Sequence, residues 1–254
     1  MTAQQESIKD KVSPEEWQMR VDLAALYRIV AMYGWDDLIF THLTARVPGG
    51  DHHFLINPYG WLFEEITASS LVKIDLEGNK VMDSPHDINP AGFTIHSAIH
   101  EARDDAVCVM HLHTRSGIAV AAQKDGLLPI SQQASTVINN LSYHDYEGIA
   151  LNPEEKVRLV QDLGNKRLMI LRNHGTLALG RSVAGTFLAM YTLETACQAQ
   201  VVAQSTGAEL IMIPQEIIDD TVNTTKTSTK NMGGRLAWPA LLRKLDRLDP
   251  SYKT

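Results

Sequence analysis

Three histidines that follow apolar segments carry the clearest chemical signal in this sequence. His111 and His113 end the apolar segment 106–113, and His174 follows a second apolar segment, Leu168–Leu171. Successive side chains of a strand point to opposite faces, so residues two apart share a face, with Cα atoms about 6.5 Å apart. Two imidazoles at that spacing can bind one ion, and a third would still leave a coordination position open, as in catalytic zinc sites. The spacing therefore predicts a divalent metal centre at these three histidines.

A purely structural interpretation competes with the metal centre. The pattern His-x-His also fits two histidines that are hydrogen-bonded at the end of a strand. His174 favours the metal, because it lies between Asn173 and Gly175, where a turn can present its ring. A second pair, His96 and His100, has the four-residue spacing of one helix face and could ligate a metal, although packing is the preferred interpretation.

Alternating strand-like and helix-like segments predict the frame that positions the histidines. Ser13, Pro14 and Glu16 form an N-cap, a first-turn proline and a capping box, which predict a helix that stops near Gly34. Short apolar runs between turns predict strands in residues 36–80. The other predicted elements are helices at 92–103, 116–123, 153–163 (capped by Asn152), 182–205 and 238–245, strands at 106–113, 168–171 and 177–179, and a threonine-rich loop at 221–230. The predicted fold class is α/β with a central mixed sheet.

Composition and charge limit the class of protein. The chain has 254 residues, 44% of them hydrophobic and 21% charged, and a net charge of -7. Nucleic-acid binding depends on Lys and Arg neutralising phosphates, so no nucleic-acid partner is expected. No apolar run reaches the roughly 20 residues of a membrane span, so no membrane partner is expected either.

The cysteines and the first residues predict a location and a domain organisation. Cys108 and Cys197 lie in apolar segments and are interpreted as buried thiols of a reducing compartment. Residues 1–12 lack the apolar region of a signal peptide, and the cytoplasm is therefore the expected location. Residues 1–12 are expected to be a flexible N-terminus, and residues 13–254 a single domain with a C-terminal tail.

Four stretches of sequence carry a family resemblance. They are 91–99 (AGFTIHSAI), 109–114 (VMHLHT), 127–131 (LLPIS) and 171–175 (LRNHG). Together they resemble the class II aldolase/adducin family over residues 14–210, with the closest local pattern in the adducin head and its bacterial relatives. The resemblance implies a three-layer α/β/α sandwich. It also implies a homo-tetramer with active sites between subunits. It implies zinc at His111, His113 and His174, although a site of three imidazoles can also bind iron or manganese.

Departures from the family pattern make phosphorylated sugars poor candidate substrates. The sugar-phosphate aldolases carry Ser-Ser-Glu, with a catalytic Glu, where this chain has 90–92 (PAG) without a carboxylate. Bulkier residues, His42 and Tyr59, replace small residues of two phosphate-binding turns. The resemblance therefore leads away from an ordinary sugar-phosphate aldolase.

The expected function is a metal-dependent lyase that binds a small-molecule substrate. The metal would stabilise an enolate after aldol cleavage or decarboxylation of a non-phosphorylated hydroxy-carbonyl compound or hydroxyaromatic acid. Two alternatives are a non-catalytic, adducin-like oligomeric scaffold and a sugar-phosphate aldolase or epimerase. The candidate proton-transfer residues are Tyr59, His42, Tyr143 and His144, and the candidate substrate-binding residues are Arg115, Asn57 and Gly60.

Overall fold

A seven-stranded mixed sheet, counted over the described residues, organises the fold. The computed structural model describes residues 7–148, 153–229 and 233–254. The strand order is β3-β2-β1-β4-β7-β6-β5, in which β5 and β6 pair in parallel and the other described pairs are antiparallel. The strands are β1 (His42–Arg46), β2 (Phe54–Ile56), β3 (Val72–Ile74), β4 (Cys108–Leu112), β5 (Leu141–His144), β6 (Leu168–Leu171) and β7 (Gly175–Gly180).

Helices cover both faces of the sheet. They are α1 (Pro14–Met32), α2 (Pro90–Ala102), α3 (Arg115–Ala121), α4 (Gln132–Val137), α5 (Pro153–Leu163), α6 (Val183–Ser205), α7 (Gln215–Thr229) and α8 (Gly233–Leu248). On one face, Val109 of β4 packs in a cluster with Ile99 of α2 and Leu159 of α5. On the other face, its neighbours Cys108 and Met110 join the larger core that includes α1 and α6. The three-layer α/β/α sandwich with a mixed central sheet is thus confirmed.

The central strands bring the predicted ligands together through their register. β4 lies between β1 and β7, and His111 is paired with His42 on one side and Leu177 on the other. β4 leads through His113 into α3, and His174 immediately precedes β7. The adjacent antiparallel strands β4 and β7 therefore bring the three histidines together at one end of these strands.

The first helix begins at the predicted N-cap, but the Glu16 side chain binds Arg20 and Lys73 and does not close the predicted capping box. A buried tyrosine of this helix fixes β1. The Ser13 hydroxyl accepts a hydrogen bond from the backbone N–H of Glu16 at 3.1 Å, which caps α1. Within α1, the Tyr27 hydroxyl accepts a hydrogen bond from Leu43 N–H at 2.8 Å and lies 2.9 Å from Asn57 Oδ1. Because Leu43 follows His42, this hydroxyl helps to position the strand beside His111.

The threonine-rich segment is a helix, and the prediction of a loop there was wrong. α7 extends over Gln215–Thr229, and α8 is longer than the predicted helix at 238–245. In α7 the hydroxyls of Thr221 and Thr227 each donate to the carbonyl four residues earlier, at 2.7 Å. These bonds satisfy the hydroxyls inside a helix, and packing of α7 on α4 offsets the low helix propensity of threonine.

Parts of the predictions for the N-terminus and for α5 lie outside the described residues. Residues 1–6 and the predicted N-cap Asn152 belong to the ranges that the structure does not describe. Residues Lys9–Lys11 form a short 3-10 helix. Among the described helices, none combines the length and the apolar character that crossing a membrane requires.

Replacing Tyr27 by Phe is expected to lower the free energy of unfolding by about 1–3 kcal/mol, because buried polar groups of Leu43 and Asn57 lose their partner. Equilibrium unfolding in urea measures this change. Tyr33→Phe is the control, since the Tyr33 side chain is half-buried at the surface, and it should change the free energy by less than about 0.5 kcal/mol. Equal effects of the two substitutions would contradict the positioning role of the Tyr27 hydroxyl.

Candidate metal centre

The three predicted ligands converge. The ring centroids of His111, His113 and His174 lie 4.7–4.8 Å from one another. One nitrogen from each ring lies within 4.8 Å of the other two, and among the described residues this is the group of side chains that could hold a metal ion. His111 is buried and the other two rings are partly buried, so the cluster is shielded on one side and accessible on the other.

In His111 and in His113, a hydrogen bond from one ring nitrogen determines which nitrogen can bind an ion. His111 Nδ1 lies 3.1 Å from the Thr176 carbonyl oxygen, and His113 Nδ1 lies 3.0 Å from Asp37 Oδ2. Both partners are acceptors, so each Nδ1 must carry a proton and donate it. Each neutral ring therefore has its lone pair on Nε2. Metal-binding histidines usually donate their second nitrogen to a carbonyl or a carboxylate in this way.

The two Nε2 atoms are placed as ligands of one cation. They lie 3.0 Å apart. Two lone pairs at that distance repel each other unless a proton or a metal ion is shared between them. Two nitrogens that bind one zinc ion at about 2.0–2.1 Å in tetrahedral geometry lie roughly 3.3 Å apart, which is close to the separation found here. The donor set therefore fits a divalent ion.

The backbone around His174 explains why Asn and Gly flank it. Asn173 has φ +56°, a left-handed conformation that Asn tolerates better than most residues. A Cβ atom added to Gly175 would overlap the carbonyl oxygen of Leu112 and would lie 3.2 Å from His113 Cδ2. Only glycine lets β7 approach β4 closely enough to bring the third ring to the other two.

Burial favours the neutral form of His111 and His174, which metal binding requires. Burial lowers the pKa of His174 to about 4, and the neighbouring His113 contributes to the shift. Burial, followed by the proximity of His174 and His113, holds the pKa of His111 well below its usual range. At neutral pH these rings are therefore available as ligands without first losing a proton.

Behind the triad, a buried chain of hydrogen bonds includes the pair of histidines on α2. His100 Nδ1 donates to the Ala106 carbonyl oxygen at 2.8 Å, so its Nε2 accepts from the Thr44 hydroxyl at 2.7 Å. The Thr44 oxygen in turn accepts from His96 Nδ1 at 2.7 Å. The ring of His42 lies 4.0 Å from that of His96. The packing interpretation of His96 and His100 agrees with these contacts.

His144, a predicted proton-transfer residue, lies between two carboxylates near the triad. Its Nδ1 donates to Asp162 Oδ2 at 2.7 Å, and its Nε2 lies 3.7 Å from Glu155 Oε1. Among the described residues, Glu155 Oε2 and His144 Nε2 are buried without a hydrogen-bond partner. His144, Glu155 and His174 line one small cavity of about 10 Å³, which is the volume of about one water molecule.

A larger cavity opens beside His113. It has a volume of about 500 Å³, and its lining includes His113, Asp37, Arg115 and Glu194. Burial raises the pKa of the Glu194 carboxyl, against hydrogen bonds from Thr114 and Gln198 that lower it. Arg115, a predicted substrate-binding residue, is exposed and faces the same space. The cavity is large enough for a small-molecule substrate.

The remaining predicted site residues have no described contact with the triad. Asn57 is buried and bonded to Tyr27, whereas Tyr59 is 45% exposed. Gly60 has φ +89°, a turn conformation that favours glycine. The Tyr143 hydroxyl accepts a hydrogen bond from Leu127 N–H at 3.0 Å, and its ring packs against the core on the α6 face.

Three residues near the triad were missed by the sequence-based prediction. Asp37, Thr176 and Glu155 belong to segments distant in sequence from His111 and His113, and carboxylates and threonines are common at surfaces. A single weak signal existed for Asp37, since it follows the end of α1 beside Asp36 and precedes β1. No periodicity or spacing in the sequence relates Asp37 or Glu155 to the histidines, and Thr176, although it is close to His174 in sequence, contacts His111 through its backbone carbonyl.

Comparison with known proteins decides the family. The sequence pattern of the class II aldolase and adducin N-terminal domain matches residues 21–201. The chain belongs to this family. The match includes β1 to β7 and therefore all three histidines.

Relatives within the family include both aldolase-like proteins and adducins. A Pseudomonas aeruginosa protein, provisionally named an aldolase class 2 protein, is 60% identical over 97% of this chain and 96% of its own length. Alpha-adducin of Rattus norvegicus is 47% identical over 72% of this chain, which corresponds to 25% of the adducin.

Solved structures of the family share the fold. An aldolase II superfamily protein from Pseudomonas syringae has a TM-score of 0.94 and 51% identity, over 98% of this chain and 100% of that one. L-fuculose 1-phosphate aldolase from Glaciozyma antarctica PI12 has a TM-score of 0.83 and 26% identity, over 94% and 93% of the two chains.

Replacing Asp37 by Asn is expected to weaken zinc binding by about 10- to 100-fold, because a partner that orients a ligand ring is weakened. His113→Ala should abolish binding. Elemental analysis and competition with a chromophoric chelator measure both effects, and Asp36→Asn, at the adjacent carboxylate, should keep the wild-type affinity. Wild-type affinity in Asp37→Asn, or purified protein that binds no ion, would contradict the assignment.

Acidification is expected to destabilise the fold through His100. Burial lowers the pKa of His100 from 6.5 to about 3. The unfolded chain therefore takes up a proton below pH 6.5 that the folded protein excludes, and stability is lost as the pH falls from 6.5 towards 3. The contribution is about 1.4 kcal/mol per pH unit.

Urea unfolding of chelator-treated protein between pH 6.5 and 5 tests this expectation. In His100→Gln, the free energy of unfolding should depend less steeply on pH than in the wild type. In His52→Gln, at an exposed position, it should depend on pH as steeply as in the wild type. The same slope in all three proteins would show that His100 is not responsible.

Proposed function

We propose that this protein is a metal-dependent lyase whose divalent ion, zinc, is bound by His111, His113 and His174. The observation that carries the proposal is that the Nε2 atoms of His111 and His113 lie 3.0 Å apart, while Nδ1 of each ring donates a hydrogen bond. When bound, the ion would act as a Lewis acid that polarises the carbonyl group of a substrate. Iron or manganese could serve in place of zinc.

His144 and Glu155 are the proposed proton-transfer pair. In aldol cleavage the substrate hydroxyl loses its proton, the C–C bond breaks, and its electron pair forms an enolate that later takes up a proton at carbon. The family's acidic residue is replaced by Gly92, so another group must accept and return that proton. Glu155 and His144 share a cavity with His174 and with Ile95, which lies one helical turn beyond Gly92. A carboxylate from α5 would thus replace one from α2.

The charge of the larger cavity favours a neutral, non-phosphorylated substrate. Asp36, Asp37 and Glu194 contribute carboxyl groups to its lining, against the cation of Arg115. When a divalent ion on the histidines is counted with Arg115, the charges of this lining balance, so a phosphate dianion would meet no net opposite charge there. A hydroxy-carbonyl compound fits this lining, and a hydroxyaromatic acid could pair its single carboxylate with Arg115.

The proposal includes a homo-tetramer with active sites between subunits, by analogy with the family. The larger cavity is open, so a neighbouring subunit could complete its wall. We also propose a cytoplasmic protein in which residues 13–254 form a single domain.

An adducin-like scaffold without catalysis is the second candidate function. The 47% identity to alpha-adducin supports it, as does the absence of a carboxylate at residues 90–92. A sugar-phosphate aldolase is the third candidate, supported by the similarity to the L-fuculose 1-phosphate aldolase of Glaciozyma antarctica.

Assays of the zinc-loaded protein separate the three functions. The substrates are non-phosphorylated ketoses, dihydroxybenzoic acids and L-fuculose 1-phosphate. We expect turnover in one of the first two groups. Glu155→Gln should lower the rate by about 100- to 10,000-fold and remove one limb of the pH–rate profile, with zinc content unchanged.

Glu154→Gln is the matched control, because Glu154 is the exposed neighbour of the buried Glu155 on α5. It should retain the wild-type rate and pH profile. Absence of turnover of every substrate by zinc-loaded protein would favour the scaffold. Turnover with a wild-type pH profile in Glu155→Gln would overturn the assignment of the proton-transfer pair alone.

A further inference from the structure

A second polar cavity lies at the edge of the sheet remote from the metal centre. It has a volume of about 230 Å³ and is lined by residues of α1, of β3, of the segments on both sides of β3 and of the segment that precedes α1. β1 and β2 separate β3 from β4, which places the cavity about 14 Å or more from the histidines across the sheet. The polar part of its lining consists of Lys11, Arg20, Ser69, Lys73, Asp83 and Ser84.

Two cations beside this cavity share one buried carboxylate. Arg20 is fully buried, and its Nε donates to Glu16 Oε1 at 3.0 Å. Lys73 Nζ donates to the other oxygen of Glu16 at 2.8 Å, and the Lys73 side chain is 19% exposed. One carboxylate cannot neutralise both cations, so the buried group of three carries an excess positive charge. Such a charge is costly in a low-dielectric surrounding unless an anion compensates it.

Among the N–H groups of Arg20, one on Nη2 has only a weak partner. Nη1 donates to the carbonyl oxygens of Leu71 and Ala68, at 2.7 and 3.3 Å. Nη2 contacts Glu16 and the Met82 thioether sulfur, which lies at 3.7 Å. Thioether sulfur is a weak acceptor. An oxyanion in the cavity would provide a far stronger acceptor for this Nη2 group.

Further donors surround the same space. Lys11 adds a third cation to the lining, whereas Asp83, which is exposed, adds one carboxylate. The Ser84 oxygen accepts a hydrogen bond from His86 N–H at 3.3 Å, so its own proton can be donated to a ligand. The cavity, with a volume of about 230 Å³, is larger than a phosphate group.

We propose that this cavity binds a small phosphate-type dianion, either inorganic phosphate or the phosphate group of a short monoester. Lys73, Lys11 and the Nη2 edge of Arg20 would neutralise it, and the Ser84 hydroxyl would donate to one of its oxygens. The site is independent of the proposed lyase activity, because its residues have no described contact with the histidines. Its occupancy would stabilise the packing of α1 on β3.

Binding of inorganic phosphate and of glycerol 3-phosphate, measured by calorimetry and thermal unfolding at constant ionic strength, tests the proposal. Each ligand is titrated into wild-type protein and into His113→Ala, in which a bound metal cannot account for the signal. We expect saturable binding and an increased melting temperature in both proteins. Lys73→Met should raise the dissociation constant by about tenfold or more.

The controls distinguish a built site from general screening of charge. Lys124→Met removes an exposed lysine that lies outside the cavity lining, and it should bind phosphate as the wild type does. Lys11→Met, at an exposed position, provides a second variant that should fold and bind more weakly. Binding of inorganic phosphate alone would identify the free ion as ligand, and binding of both would identify the phosphate group.

Two results would overturn the proposal. One is a melting temperature in phosphate no higher than in chloride of equal ionic strength. The other is wild-type phosphate affinity in both Lys73→Met and Lys11→Met.

Discussion

The site depends on two imidazole nitrogens that the fold holds with their lone pairs facing each other. The Thr176 carbonyl oxygen and the Asp37 carboxylate accept hydrogen bonds from Nδ1 of His111 and His113, and the two Nε2 atoms lie 3.0 Å apart. The repulsion between them is offset by the backbone pairing of β4 with β7, which keeps the rings in place before any ion arrives. Binding of an ion would remove that repulsion, so metal affinity and folding stability are coupled.

Local sequence sufficed to predict the elements that deliver the ligands. The apolar run before His111 is typical of an interior strand, and the two-residue period then fixes the relative direction of His111 and His113. The cap of α1 was equally local, because Ser13 and Glu16 are neighbours on one helical turn. Such features depend on residues within a few positions of one another, and the structure agrees with the sequence there.

What the sequence could not predict depends on contacts between distant segments. Asp37 meets His113 across 76 residues, and Glu155 approaches the triad from α5, so neither has a spacing that a motif could record. The helix α7 was missed for a related reason. Its threonines have low intrinsic propensity, and packing on α4, which local preference does not contain, stabilises the helix.

Gly175 has a consequence for the diversity of the family. Any larger residue at this position would collide with the carbonyl of Leu112 and push β7 away from β4. A homologue could keep all three histidines and still be unable to gather them if this one glycine were replaced. The three-histidine cluster can therefore be lost through a substitution outside the three histidines themselves.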